Sequence, residues 1–381
     1  MVIKLPPLSL YIHVPWCVRK CPYCDFNSHT SPQQIPEMDY IDALVQDFIQ
    51  EQALIQNREL QSIFFGGGTP SLLSANAIKD LLSRLKTHIQ FAKTIEITLE
   101  ANPGTFEQEK FAGFFQAGIN RLSIGIQSFN PEHLTVLGRI HNSDEALLAV
   151  DIAKQAGFEN INLDLMHGLP NQTVEQALVD INTAIAAEPT HISWYQLTIE
   201  PNTVFFSKPP KLPVDDLLWD IQQAGQALLA QQNYQQYEVS AYSKPGRPAQ
   251  HNLNYWQFGD FIGIGAGAHG KLTDLTQQQI IRRWKTRLPK DYLNPEKTFV
   301  AGERVITTSE LPLEFMMNAM RLTAGVPLSY FSERTGISVE SIKTDLKRAV
   351  NKELLDISND TVKPTLLGTQ YLNDLLEFFM S

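Results

Sequence analysis

The feature that most restricts the fold is a regular alternation of strand-like and helix-like segments over the first 235 residues. Short apolar runs rich in β-branched and aromatic residues alternate with longer segments whose apolar residues recur at helical spacing. Six such pairs in series predict an α/β fold whose parallel sheet, with right-handed crossovers, is either doubly wound or curled towards a barrel. The predicted strands are 9–15, 60–67, 94–104, 120–128, 160–170 and 191–199, and the predicted helices are 39–55, 77–89, 107–118, 144–157, 174–188 and 215–232.

The pattern changes after the sixth pair. Proline-rich connections occupy 207–213 and 242–250, and "FIGIGAGAHG" (261–270) is typical of a glycine-rich strand and turn. From about residue 300 the chain is mainly helical, with a short polar hairpin predicted at 357–364, which indicates a winged-helix-like module. The sequence therefore predicts a core over 1–235, a connecting segment over 236–300 and a smaller domain over 301–381.

Charge and hydropathy exclude several classes of protein. The formal net charge of −10 argues against a broad nucleic-acid-binding surface. No apolar run approaches the roughly 20 residues that cross a bilayer, and the N-terminus lacks the apolar core of a signal peptide. We therefore expect a cytoplasmic protein without a transmembrane segment or a nucleic-acid partner, in a compartment that keeps thiols reduced.

All three cysteines of the chain lie within eight residues, directly after the first predicted strand. Cys17, Cys21 and Cys24 have the spacing C-x3-C-x2-C. A structural zinc site needs four protein ligands, so His13, His29 or a distant group would have to complete it. Three thiolates can instead hold three irons of a cubane cluster and leave the fourth iron open to an exchangeable ligand. The count favours an iron–sulfur cluster, with zinc or unliganded core cysteines as the alternatives.

An ordered set of motifs resembles the radical S-adenosylmethionine (SAM) superfamily nearly from end to end. The motifs are "YIHVPWC", "GGGTPS", "EANPGT", "LSIGIQSF", "LGRIH" and "DLMHGLP". Within the superfamily they are most similar to the oxygen-independent coproporphyrinogen III oxidase group. The resemblance implies a partial (β/α)6 barrel, a three-cysteine 4Fe–4S cluster and SAM bound at the open iron, where reduction can yield a 5′-deoxyadenosyl radical.

The resemblance also implies a set of SAM-binding residues at the ends of the strands. Glycines let the backbone approach a ligand closely, although the same residues suit a tight turn. A carboxylate at a strand end suits ribose hydroxyls, and an arginine suits the SAM carboxylate, but either can belong to a structural ion pair. The predicted SAM contacts are Tyr11, Tyr23, Gly67, Gly68, Thr69, Glu100, Gln127, Arg139 and Asp164.

Two features depart from the oxidase pattern. Phe26 stands where the oxidase motif has a fourth cysteine, and only sixteen residues precede Cys17. Further along, "QHNLNYWQFGD" (250–260) resembles the motif of HemW-type heme chaperones, which implies heme binding by His251 and Tyr255. A neutral imidazole is a common ligand of heme iron, and aromatic rings supply a flat surface for a macrocycle. The alternative is a structural histidine packed beside Trp256.

Two functions follow from these resemblances. The first is a heme chaperone that binds a 4Fe–4S cluster, SAM and heme and delivers heme to respiratory acceptor proteins. The alternative is an oxygen-independent coproporphyrinogen III oxidase that decarboxylates propionate side chains by radical chemistry. A zinc-stabilised interaction module is a third hypothesis. A homodimer and transient association with a membrane are both compatible with the sequence.

Overall fold

A computed structural model describes residues 2–104 and 108–380. Six parallel strands lie side by side in chain order, as the alternation predicts, with ends displaced by a few residues. Glu107, the first residue of the predicted third helix, lies outside the described residues. The strands are β1 Leu8–Val14, β2 Leu60–Gly67, β3 Phe91–Ala101, β4 Arg121–Gln127, β5 Ile161–His167 and β6 His191–Gln196.

Antiparallel strands extend both edges of this parallel row into one twelve-stranded sheet. Beyond β6 lie β8 and then β7, and beyond β1 lie β9, β10, β11 and β12 in that order. Strand β9 is parallel to β1. Strands β10, β11 and β12 then follow, each antiparallel to the strand before it. The added strands are β7 Gln235–Glu238, β8 Ala241–Ser243, β9 Asp260–Ile264, β10 His269–Asp274, β11 Gln279–Lys285 and β12 Val300–Val305.

The main helices of the first part cover the parallel strands. Two of them begin with reciprocal capping boxes, in which Asn142 pairs with Glu145 and Thr173 pairs with Gln176, so the polar residues at these positions fix where the helices begin. The helices are α1 Glu37–Gln50, α2 Ala75–Leu85, α3 Phe111–Ala117, α4 Ser143–Gln155, α5 Val174–Ala186, α6 Asp215–Gln231 and α7 Gln250–Trp256, with shorter helical segments at Gln52–Ile55, Pro70–Leu72, Pro131–Val136, Val204–Ser207 and Pro289–Tyr292.

The C-terminal part combines short helices with a three-stranded sheet, so the predicted hairpin and the mainly helical character are both present. The sheet has the order β13–β15–β14. Its strands are β13 Val326–Pro327, β14 Leu355–Ser358 and β15 Thr361–Pro364, and the helices are α8 Leu311–Ala319, α9 Ser329–Thr335, a 3-10 turn at Val339–Ile342, α10 Lys343–Asn351, α11 Leu366–Gln370 and α12 Leu372–Glu377.

Two large hydrophobic clusters hold these parts together. The first lies between the parallel strands and their helices, where β1 is buried along almost its whole length. Both faces of β1 are buried, as is typical of a strand inside a parallel sheet, so that even Ser9 and His13 are shielded from solvent. The second cluster joins the C-terminal helices to Ile3, Phe258 and Ile280 from other parts of the chain. Strand β12 crosses residue 300, and the division at 235 and 300 stays a prediction.

Over residues 2–104 and 108–380, each helix is too short or too polar to cross a membrane.

Candidate functional site

A cavity of about 710 Å³ lies at the carboxyl ends of the parallel strands, and we call it the cluster cavity. In α/β folds of this kind, loops at the carboxyl ends of the strands carry the ligand-binding residues. All the predicted cluster and SAM residues except Tyr11 line it. They are Cys17, Cys21, Cys24, Tyr23, Gly67, Gly68, Thr69, Glu100, Gln127, Arg139 and Asp164.

The cysteine loop is closed at its base by a small parallel ladder. Trp16–Cys17 pairs with His29–Thr30, so the loop that carries Cys21 and Cys24 is held next to the end of β1. The Sγ atom of Cys17 lies 3.7 Å from the carbonyl oxygen of His29, and that of Cys24 lies 3.9 Å from Ser28 Oγ. The Cys17 thiol donates to this carbonyl, whereas the Ser28 hydroxyl group is a donor that can stabilise a thiolate at Cys24.

The glycine loop after β2 is packed directly against the chain that leaves β1. The Gly68 N–H donates to Val14 at 2.7 Å, and the Thr69 N–H donates to the Trp16 carbonyl at 2.7 Å. A Cβ atom on Gly68 would lie 2.4 Å from that carbonyl oxygen, which is too close for any other residue. Gly67 has φ +114°, a conformation that favours glycine. The glycines therefore bring the glycine loop and the cysteine loop together.

Two carboxyl groups lie in the wall of the cluster cavity. Glu100 accepts a hydrogen bond from the Gly67 N–H at 3.2 Å, and burial, with Asp164 nearby, raises the pKa of Glu100 to about 8. Asp164 accepts hydrogen bonds from Ser123 and Asn162, each at 2.8 Å, and burial also raises its pKa. A cationic ligand with hydroxyl donors would favour the ionised form of both groups.

Arg139 links the cysteine loop to two strand ends. Its guanidinium donates to Asn102 at 2.7 Å and to the Gly125 carbonyl at 2.5 Å, and one nitrogen lies 3.7 Å from Cys21 Sγ. Among the described residues these partners are a neutral amide, a carbonyl and a thiol, and Arg139 forms no ion pair with a carboxylate. Arg139 thus brings positive charge next to a candidate cluster ligand.

Two polar residues of this site were not predicted from the sequence. Asn102 binds Arg139, and Tyr195 donates its hydroxyl hydrogen to Gln127 at 2.7 Å. Asn102 follows Glu100 by two residues, so strand alternation is a signal that could have identified it. Tyr195 lies near the carboxyl end of β6. A polar aromatic residue at the end of a predicted strand is a second signal that could have identified a residue of the site.

The donors in the cluster cavity fit an iron–sulfur cluster better than a single ion. Three thiols face one space, and thiolates are the usual ligands of such clusters. Over the described ranges, no group of three or more His, Cys, Asp or Glu side chains is arranged to hold one metal ion. The cavity also offers carboxylates, a guanidinium and a glycine loop, which match the polar groups of an amino acid nucleoside.

Tyr11 lies in the wall of a second cavity, of about 890 Å³, which we call the aromatic cavity. Its hydroxyl group is 3.0 Å from Nδ1 of His13, whose Nε2 is 2.9 Å from the Asn27 carbonyl oxygen. Tyr255 lines the same cavity, and Phe26 and Trp256 line both cavities. A SAM contact by Tyr11 stays a prediction.

His251 is buried on α7, and both of its ring nitrogens have partners. Nδ1 lies 2.8 Å from Ser62 Oγ, and Nε2 lies 2.9 Å from the Tyr255 hydroxyl group. Burial, with a smaller effect from Arg121, lowers the pKa of His251 to about 3, so the ring is neutral. Iron ligation by His251 stays a prediction, and it would require one of these two hydrogen bonds to break.

Comparison with protein families gives two matches along the chain. Residues 11–183 match the Radical SAM superfamily, and residues 306–371 match the HemN C-terminal domain. The first range contains the cluster cavity's cysteines and all its predicted SAM contacts. The second falls in the C-terminal helices and their small sheet.

Curated relatives are similar over essentially the whole chain. The heme chaperone HemW of Haemophilus influenzae is 54% identical over 99% of this chain and 99% of its own length. That of Escherichia coli is 49% identical, covering 100% of both chains, and that of Bacillus subtilis is 34% identical, covering 98% and 99%.

A solved structure has the same fold. The coproporphyrinogen III oxidase HemN of Escherichia coli, described as a radical SAM enzyme, superposes with a TM-score of 0.82 at 23% identity, covering 99% of this chain and 91% of the other. At that identity the likeness concerns the fold alone. The full-length identity to the chaperones, together with the superfamily match, establishes the relationship. This chain belongs to the HemW heme chaperone family of the radical SAM superfamily.

Proposed function

We propose that this protein is a heme chaperone that holds a 4Fe–4S cluster and SAM, binds heme and delivers it to respiratory acceptor proteins. The observation that carries the proposal is the position of two cavities on either side of Trp256 and Phe26. One cavity carries the three thiols, and the other is lined by aromatic and cationic side chains. A cofactor site and a macrocycle site would thus share a wall.

In this proposal, Cys17, Cys21 and Cys24 hold the cluster and leave one iron for the amino and carboxylate groups of SAM. A bound cluster supplies an electron and a coordination site for SAM. Around it, the glycine loop at Gly67 and Gly68 and the neighbouring Thr69 orient the methionine part of SAM. Arg139 balances carboxylate and sulfur charge.

Other polar residues of the cavity would hold the nucleoside part of SAM. Glu100 and Asp164 accept hydrogen bonds, and the positive sulfonium offsets the cost of ionising these buried carboxyls. Gln127 is oriented by Tyr195, and Tyr23 offers a ring beside the cysteine loop.

The heme part of the proposal assigns heme binding to His251 and Tyr255, which both lie on helix α7. Tyr255 lines the aromatic cavity, and the His251 ring is hydrogen-bonded to the Tyr255 hydroxyl group. His251→Gln tests this assignment, because it keeps a polar side chain at a buried position. If His251 ligates the iron, the variant loses the spectrum of histidine-ligated heme. If it only positions Tyr255, the spectrum stays and affinity falls slightly.

The proposal is tested on anaerobically reconstituted full-length protein. Iron and sulfide are measured, SAM binding is measured by calorimetry, and hemin is titrated by its Soret absorbance on the same sample. We then expect transfer of heme to an apo-acceptor, detected as holo-acceptor formation. Protein that takes up iron and sulfide but shows no saturable hemin binding would refute the chaperone function.

The oxidase alternative is tested with the same sample. Coproporphyrinogen III, SAM and a reductant are added without oxygen, and we expect no catalytic formation of protoporphyrinogen. Multiple turnovers would instead support an oxidase. A brown protein with labile sulfide excludes the zinc module.

The remaining parts of the proposal concern partners and place. We propose that the protein acts in the cytoplasm and meets membrane-bound acceptors transiently, with dimerisation as one way to organise the transfer. Sedimentation with and without SAM and hemin measures the oligomeric state, and flotation with acceptor-containing membranes measures association.

A further inference from the structure

The aromatic cavity contains features that suit a macrocycle in detail. Its volume of about 890 Å³ lies within the range of pockets for large cofactors. Its wall includes Tyr255, Phe261 and Trp284, and the first two rings meet edge to face with centroids 4.5 Å apart. Trp284 packs over Gly302, where a Cβ atom would lie 2.4 Å from the indole ring. The glycine thus leaves room for a flat aromatic wall.

His269 lies in this cavity with a free imidazole ring. It begins β10, and its register partner across the β10–β11 ladder is Trp284. The side chain is exposed, and within residues 2–104 and 108–380 its ring makes no hydrogen bond or ion pair. Partial burial lowers its pKa, with Arg282 and Arg287 adding to the effect, so the ring is neutral near pH 7. A neutral and unpaired imidazole is the form that binds iron.

The same cavity carries cations, although the whole chain has a net charge of −10. Arg282 is paired with Glu314 at 2.5 Å, and Arg304 is paired with Glu310 at 2.9 Å. Arg287 is exposed and forms no ion pair with any residue in the described ranges. Its guanidinium is therefore available for an anionic ligand.

These observations point to one class of ligand. A flat apolar wall, an unpaired neutral imidazole and an unpaired guanidinium match the ring, the iron and a propionate of heme. We propose that His269 is an axial ligand of the heme iron in the aromatic cavity and that Arg287 binds a heme propionate. This inference rests on the proposed heme-chaperone function and assigns the iron ligand to a residue outside the α7 motif.

The test of His269 compares variants of the reconstituted full chain by hemin titration and by electron paramagnetic resonance of the ferric complex. His269→Ala should raise the Kd for hemin by at least about tenfold, as expected for losing a metal ligand, and should lose the histidine-ligated signal. Added imidazole should restore that signal. The matched control is His88→Ala, because His88 is partly exposed but lies outside the aromatic cavity.

The test of Arg287 separates the propionate from the ring. Arg287→Ala should weaken hemin binding about tenfold, the effect of one charge-assisted contact, and should leave the binding of hemin dimethyl ester unchanged. The control is Arg247→Ala, which removes another exposed guanidinium outside the aromatic cavity. Equal losses for hemin and its ester would overturn the propionate assignment.

The outcomes separate this inference from the function on which it rests. Wild-type protein without saturable hemin binding would refute both. Wild-type binding with an unchanged signal in His269→Ala would overturn the His269 assignment alone and leave the chaperone proposal standing. Loss of the signal in His251→Gln but not in His269→Ala would identify His251 as the ligand instead.

Discussion

At Glu100, several physical effects act on one carboxyl group. Burial and the neighbouring Asp164 favour the protonated form, whereas the Gly67 N–H and Arg121 favour the ionised form. The first pair dominates, and the pKa rises to about 8. The free protein therefore stores an unfavourable environment for negative charge, which a cationic sulfonium ligand would relieve.

This environment predicts a pH dependence of stability. In the unfolded chain this carboxyl group has a pKa of about 4.3. Between that pH and about pH 8, the folded state holds a proton that the unfolded state has released. The contribution of Glu100 to the free energy of unfolding therefore falls as pH rises through this window, by at most about 1.4 kcal/mol per pH unit. Glu100→Gln should remove that part of the dependence, measured by urea unfolding of the cluster-free protein at pH 6 and pH 8.

The control for this measurement is Glu159→Gln, which changes an exposed carboxylate on the surface. It should leave the wild-type pH profile in place. A Glu100→Gln profile parallel to that of the wild type would contradict the raised pKa.

A second prediction concerns the three cysteine thiols. Cys17→Ser, Cys21→Ser and Cys24→Ser should each lose the roughly four iron and four sulfide ions of a reconstituted cluster, because a hydroxyl group is a poor replacement for a thiolate. Phe26→Ser, in the same loop, should retain them, since Phe26 is 60% exposed and carries no ligand atom. Analysis of bound iron and labile sulfide measures the result. A serine variant with full iron content would remove that cysteine from the ligand set.

Among the elements, the connection from β2 into the glycine loop is fixed by its contact with the chain after β1. The Gly68 and Thr69 N–H groups both bond to that chain, and no side chain fits between the two segments. Because the cysteines follow immediately, this contact sets the distance between the cysteine loop and the glycine loop. The shape of the cluster cavity therefore depends on the packing of these two segments more than on any single polar group.

Gly68→Ala should therefore reduce both stability and SAM binding. Its Cβ atom would lie 2.4 Å from the Trp16 carbonyl oxygen, so the two segments must separate, at a cost of about 1–3 kcal/mol. The control is Gly246→Ala, which has open space around the new Cβ but a φ of +74°. It should cost about 1 kcal/mol from backbone strain and should leave SAM affinity unchanged. Urea unfolding measures the loss of stability, and calorimetry measures the loss of SAM affinity. Equal losses in the two variants would show that the contact between the two segments does not matter.

For the whole molecule, a buried charge cluster ties the antiparallel extension to the parallel core. Lys285 on β11 contacts Asp47 on α1 and Glu51 just after it, and all three side chains are at most 2% exposed. Tyr292 also donates to Asp47 at 2.6 Å. Strands β9 to β12, which form part of the wall of the aromatic cavity, are thereby held against the first helix.

Lys285→Met should destabilise the protein strongly. Removing the cation leaves the buried Asp47 carboxylate without an ionic partner among the described residues and leaves Glu51 with Arg283 alone. Breaking a buried ion pair in this way costs about 3–5 kcal/mol in comparable cases. Lys290→Met changes an exposed lysine nearby and should have little effect. A urea midpoint for Lys285→Met equal to that of the control would show that the cluster does not stabilise the fold.

Local sequence patterns explain which parts could be predicted. The six parallel strands and their helices follow from periodicity within segments of ten to twenty residues, and the cysteine loop follows from spacing within eight residues. The motif string also identified a set of residues that the fold does bring to one cavity. Strands β10 to β12 were not predicted because they are partly polar and lie outside the β/α alternation. Antiparallel pairing with one another, rather than an apolar composition, holds them in the sheet.

The sequence by itself determined the β/α order, the trio of thiols and the family, because each is encoded in residues close together in the chain. Only the tertiary structure decided that Tyr11 faces a second cavity, that His251 has both ring nitrogens bonded and that His269 and Arg287 line the same cavity as Tyr255. These relations join residues far apart in sequence. They depend on strand pairing and crossover geometry, which no local periodicity records.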